Sequence, residues 1–100
     1  MLGEKIKALR ETKGLVQREV ATELGVDIAY ISKMEHGEKP VSRNHLEKLS
    51  RLFEVPEEEL LTLWVADKLY AIAKDEEVAL QAIEVVQDEL KYYSTYKKKL

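Results

Sequence analysis

The sequence has no cysteine, which excludes a disulfide framework, a thiolate metal site and a cysteine nucleophile. Glycine numbers 4 and proline 2 in 100 residues, too few for a flexible linker or for the turns of a multi-stranded sheet. No apolar run approaches the roughly 20 residues that a membrane helix needs. The longest, from Leu60 to Ala66, contains Thr62 and is followed by Asp67. The start, Met1-Leu2-Gly3-Glu4-Lys5, runs directly into alternating charge, so no signal peptide is expected and the expected location is the cytoplasm. Gly3 is not at position 2 and does not read as a myristoylation site.

What is present is 45% hydrophobic and 35% charged residues, the composition of a globular chain. A chain of this size buries only roughly 60–65% of the surface its unfolded form exposes, so a partner copy would help it. The net charge of -3 is unevenly spread. Residues 1–53 carry ten Lys and Arg against eight Asp and Glu, and residues 54–100 carry six against eleven. The first part can face a polyanion, while the second would be repelled from it.

Helical periodicity runs through nearly the whole chain. Leu2, Ile6 and Leu9 define a first helix that fades at Lys13-Gly14. A second runs from Val16 to Leu24, with Val20, Ala21 and Leu24 on one face, and stops at Gly25. Asp27 is suited to cap a third, which turns Ile31 and Met34 inward and ends near Gly37. Ser42 can cap a fourth that carries Leu46, Leu49 and Phe53. Pro56 and Glu57-Glu58-Glu59 suit the first turn of a fifth, expected to reach Ala73. A sixth is expected from Glu77 to Tyr96. The expected fold is all-α, with residues 1–60 as one domain and residues 61–100 as a C-terminal helical hairpin.

Gln17 to Leu24, the turn Gly25-Val26-Asp27, and Ile28 to His36 make a helix-turn-helix arrangement. Ala21 is small enough for two helices to approach, and Gly25 can take a backbone conformation strained for other residues. Leu24, Val26 and Ile31 form the wedge that sets the interhelix angle. The outward residues of the second helix are then Ile28, Ala29, Tyr30, Ser32 and Lys33, a face free to enter a DNA major groove.

Over residues 2–62 the sequence resembles the phage-repressor, Cro-type (XRE) helix-turn-helix family. The matching residues are Ile6-Lys7-Ala8-Leu9-Arg10, Gln17-Arg18-Glu19-Val20-Ala21, Leu24-Gly25-Val26, Tyr30 to Gly37, and Leu46-Glu47-Lys48-Leu49. The resemblance implies a five-helix repressor-like domain with a helical extension. It also implies roles. Gln17, beside Arg18, would touch a phosphate and brace the reading helix. Ile28, Ala29, Ser32 and Lys33 would face bases, and Tyr30 would offer its hydroxyl to a phosphate. The amides near His36, together with Lys39, Arg43 and Asn44, would grip the flanking strand. Arg10 and Glu35 would form a structural pair beneath the motif. Among such regulators the restriction–modification controller proteins have similar size and added helices.

The sequence departs from the family in two respects. Val16 stands where a Ser or Thr usually caps the second helix, at a cost of about 1 kcal/mol. Ile28 and Ala29 cannot hydrogen-bond to bases, though they can meet a thymine methyl. Direct readout would then rest on Lys33 and Ser32, with DNA shape read by Arg43 in a narrow minor groove.

Beyond Leu60 the apolar residues form stripes: Leu63, Trp64 and Tyr70 on one helix, Val78, Ile83, Val86 and Leu90 on the next. These can pack on their own chain or form a dimer interface; the dimer is favoured, since two motifs about 34 Å apart read a pseudo-palindrome. The expected function is thus a homodimeric, sequence-specific transcriptional regulator of double-stranded DNA. Glu19 and Glu23 are candidates for a contact with RNA polymerase. The alternative is an antitoxin-like module that binds a partner protein through its C-terminal helices. His36 and His45 fit no common metal-ligand spacing, and no phosphate-cradling loop or nucleophile turn is present. No cofactor, no metal and no catalysis are expected.

Overall fold

The computed structural model describes residues 1–99, with side chains through residue 97. It contains six α-helices and one 3-10 turn, and among the described residues no strand. The helices are α1 (Leu2–Thr12), α2 (Gln17–Leu24), α3 (Ile28–Glu35), α4 (Leu46–Phe53), α5 (Glu57–Ala73) and α6 (Ala79–Lys99), with the 3-10 turn at Arg43–His45. The all-helical reading of the sequence holds. Boundaries shift by one to three residues. The largest single change is at Ser42, whose hydroxyl accepts from the Asn44 N–H and opens a 3-10 turn rather than α4 itself.

The chain divides into two compact units, the first spanning Met1–Leu69 and the second beginning at Tyr70. The first unit has a continuous core. Leu2 and Ile6 of α1, Val20, Ala21 and Leu24 of α2, Ile31 and Met34 of α3, Leu46, Leu49 and Phe53 of α4, and Leu60 of α5 are all buried. Burying each large aliphatic or aromatic side chain stabilises the unit by about 1.5–3 kcal/mol relative to exposure. Val41 joins them from the loop before α4.

Two features lock α1 into this core. Gly3 lies so close to the end of α3 that a Cβ there would collide with the Met34 carbonyl oxygen and stand 2.9 Å from that of Glu35. The Leu2 N–H at the start of α1 donates to Asp67 Oδ2 at 3.0 Å, so α5 supplies a cap that α1 lacks in its own sequence.

Asp67 is also why the first unit extends beyond residue 60. Leu60 is fully buried, Leu61, Leu63 and Trp64 pack against the core, and Asp67 ties back to α1. The expected division at residues 60 and 61 falls inside this packed stretch, and α5 runs through it unbroken. Leu63 and Trp64, both half-buried, therefore pack against the core of the first unit.

The second unit holds the end of α5, a turn and α6. No side chain from Tyr70 through Lys97 is buried. A hairpin packed on itself would bury the stripe of α6. Instead Val78 and Leu90 are each 60% exposed, and Ile83 and Val86 remain about half exposed. Among the described residues of this unit, the stripe is present but stays exposed.

Candidate nucleic-acid interface

The site is built on α2, the turn after it, and α3. Gly25 ends α2 in the left-handed region at φ 71°, where a side chain would be strained. The N–H groups of Gly25 and Val26 return to the carbonyls of Thr22 and Ala21 at 3.2 and 3.0 Å, closing the helix end. Asp27 then takes an extended conformation and its Oδ1 accepts the Tyr30 N–H at 3.0 Å, starting α3 where the sequence places it. Ala21, Leu24 and Ile31 are buried in the wedge between the helices, with Val26 half-buried beside them.

Val16 has no side-chain acceptor, yet half of a capping arrangement survives. The Glu19 carboxylate accepts the Val16 N–H at 3.0 Å, and the Glu19 N–H bonds the Val16 carbonyl at 3.1 Å. This commits Glu19 to the start of α2 and leaves Glu23 as the free acid of the expected polymerase pair.

Beneath the motif lies a polar lock. Glu35 is wholly inaccessible, and its carboxylate receives Arg10 Nε at 2.7 Å, Arg10 Nη2 at 3.2 Å and Gln17 Nε2 at 3.1 Å. Arg10 Nη1 also donates to the Leu15 carbonyl at 3.0 Å. The hydrogen bond to Glu35 raises the Arg10 pKa above its ordinary value, against the opposing effect of burial. Three elements are thereby joined: α1 through Arg10, α2 through Gln17 and α3 through Glu35. Gln17 is thus bonded to α3, and the Arg10–Glu35 pair lies beneath the motif, where the resemblance implies it.

On the outward side of α3, Ile28, Ala29 and Lys33 are exposed and Ser32 is half-buried. Together with Gly25, Tyr30 and Lys39, residues Ala29 and Lys33 line an open depression of about 540 Å³. His36 turns back on α3, with its Nδ1 2.7 Å from the Ser32 carbonyl. A carbonyl only accepts, so Nδ1 carries the proton and Nε2 is left free. The N–H groups of Glu38 and Lys39 both converge on the Lys33 carbonyl, at 2.8 and 3.3 Å, which holds the loop against the end of the helix.

Tyr30 departs from the expected role. Its hydroxyl donates to the Pro40 carbonyl at 3.0 Å, and its ring meets His45 edge-on at 6.2 Å. The hydroxyl expected to meet a phosphate thus pins the loop after α3. Trp64, expected at a dimer interface, also has a partner within the chain. Its Nε1–H donates to the Val41 carbonyl at 2.7 Å, because the loop carbonyl has no helical or strand partner of its own. Arg43 stands over the Trp64 ring, its guanidinium carbon 5.6 Å from the centroid. Sequence reasoning missed Gly3, Asp67 and the Val41–Trp64 link, since none follows from helical periodicity. The only signal was an acid, Asp67, lying on an otherwise apolar stripe.

The cations of the first unit divide into paired and unpaired ones. Lys5 pairs with Glu59 at 3.0 Å, Lys13 with Glu54 at 2.7 Å, Arg51 with Glu47 and Arg10 with Glu35. Among the described residues, Arg18, Lys33, Lys39 and Arg43 have no carboxylate partner, nor do Lys7 and Lys48. The acids beside the motif, Glu19 and Asp27, are turned to helix starts instead. Asn44 is exposed beside Arg43. A braced helix with an uncompensated, cation-bearing outer face can bind a polyanion.

Among the described residues no helix is long and apolar enough to cross a membrane. Several solved structures are similar, three of them as follows. The restriction–modification controller protein C.AhdI from Aeromonas hydrophila is 32% identical, with 59% of this chain and 89% of that one covered at a TM-score of 0.54. The clp gene regulator ClgR from Corynebacterium glutamicum is 25% identical over 93% and 88%, with a TM-score of 0.57. A chain of the SinR–SinI protein complex is 28% identical over 95% and 99%, with a TM-score of 0.55. The family model described as a helix-turn-helix domain matches residues 1–63, well over half of the sequence and all of the braced motif. The chain therefore belongs to the helix-turn-helix domain family, among regulators of the XRE type.

Proposed function

We propose that this protein is a transcriptional regulator that binds double-stranded DNA sequence-specifically, as a homodimer on a pseudo-palindromic operator. One observation carries the reading. The helix α3 is locked from below by Arg10, Gln17 and Glu35, while among the described residues Lys33 and the neighbouring Arg18, Lys39 and Arg43 have no carboxylate partner. Lys33, and to a lesser degree the half-buried Ser32, would read bases, and Ile28 and Ala29 would meet thymine methyl groups. The family and the regulators it resembles support the same class.

The dimer is supported by two considerations. A single motif of this size covers few base pairs, whereas two about 34 Å apart address one face of the duplex. The exposed stripe of Val78, Ile83, Val86 and Leu90 offers apolar surface that a second copy can cover. The same stripe favours a second reading, in which it holds a different protein; one of the similar structures is itself a complex of two proteins.

Selection of binding sites from random duplex DNA at near-physiological salt tests the proposal. The expected result is an inverted repeat with half-sites about one helical turn apart. Lys33→Ala should then weaken specific binding by about 1–3 kcal/mol and relax preference at one base position. No enriched sequence from folded full-length protein would overturn the DNA reading and favour partner binding.

A further inference from the structure

Trp64 gathers two positive charges. Its half-buried indole is fixed by the hydrogen bond to the Val41 carbonyl, and the ring carries Lys68 Nζ at 4.3 Å from the centroid as well as the Arg43 guanidinium at 5.6 Å. Lys68 follows Trp64 by four residues on α5, so the two share one face of the helix. Both cations are exposed, and among the described residues neither has a carboxylate partner. An aromatic face attracts each cation but does not neutralise it, so two cations on one ring still repel. An anionic oxygen placed between them would relieve that repulsion.

The cluster is also connected to the reading helix. The Tyr30 hydroxyl holds the Pro40 carbonyl, the next carbonyl along holds Trp64, and Arg43 follows two residues later. Residues 40–43 are thus hung between α3 and α5. Seating α3 on DNA carries Trp64 and its two cations with it.

Resting on the DNA-binding reading, we propose that Lys68 is a DNA-backbone contact outside the helix-turn-helix match, and that Trp64 is a positioning residue that holds Lys68 and Arg43 around a phosphate of the strand flanking the half-site. The chemistry sought is a phosphodiester oxygen, which both an ammonium and a guanidinium can bind.

The test uses the full-length protein and measures affinity for the selected duplex, and for a scrambled one, across a range of salt. Lys68→Gln should weaken binding to both duplexes alike and reduce the slope of log affinity against log salt by about one unit. Lys68→Arg should restore the slope. Trp64→Phe keeps a ring but removes the bond to Val41, and should flatten the slope while Lys33-dependent base preference persists. Trp64 is the sole tryptophan, so its emission in the wild type should change on adding DNA, and change less in Lys68→Gln. A Lys68→Gln variant with wild-type affinity and slope, or emission indifferent to saturating DNA, would overturn this assignment alone. A folded wild type with no affinity for either duplex would overturn both it and the function on which it rests.

Discussion

The two units are built from the same kind of element and use it differently. In the first, 12 hydrophobic residues are buried, and the buried Glu35 carboxylate finds Arg10 and Gln17 there. In the second, from Tyr70 on, helices are equally regular but no described side chain is buried. Leu60 and Leu80 make the point within a short span: the first is wholly inaccessible, the second 78% exposed. A helix by itself does not make a core; facing apolar stripes from several helices do. The first unit has those partners among its own helices, whereas the described residues of the second unit leave the α6 stripe exposed.

Four experiments would break or sharpen this contrast. Arg10→Ala strands a buried Glu35 carboxylate with Gln17 alone, and should cost about 3–5 kcal/mol in the first unit, read by thermal or urea unfolding. A near-neutral result would remove the polar lock from the list of what distinguishes that unit. Leu60→Ala should cost about 2–5 kcal/mol. Leu80→Ala in the second unit should stay within about 0.5 kcal/mol. Chain ends chosen on the same logic should differ as well, with a fragment ending at Leu69 folded and one ending at Glu59 destabilised by loss of Leu60, Trp64 and Asp67.

Gly3→Ala forces α1 away from the last carbonyls of α3, and an overpacking cost of about 1–3 kcal/mol is expected by denaturant unfolding. The smallest effect concerns Glu54. The hydrogen bond from Lys13, and then its charge, hold the Glu54 carboxyl below the usual carboxylate range. Its folded pKa lies below its unfolded one, so its contribution is present above the unfolded value and is lost as pH falls through the folded value. In Lys13→Ala, an NMR titration should find Glu54 back at an ordinary carboxylate pKa. The small stability gap to wild type at neutral pH should close in acid. A gap that persists in acid would show that Lys13 acts by packing.

Much of the fold was legible because it is local. Leu2, Ile6 and Leu9 mark α1 by spacing, Asp27 caps α3 through an acceptor three residues from its donor, and Gly25 marks a turn that needs positive φ. The partners of Arg10 and Glu35 were legible only through family resemblance, since they are 25 residues apart. The elements that carry Tyr30 and Trp64 are legible, while their hydrogen-bond partners within the chain are not. Helical spacing says which way a side chain leaves its helix, and not whether a loop carbonyl from Pro40 or Val41 waits there.

Six helices, the turn between α2 and α3, the cations on and beside α3 and the family can be read from sequence alone, because each depends on residues near one another or on a recurrent order of residues. Only the tertiary structure decided that Asp67 caps α1, that Gly3 admits the end of α3, and that Trp64 serves the loop before α4. It also decided where the first unit ends. Those are choices among surfaces distant in sequence, and they are settled by which backbone groups are left without partners once the local elements have formed.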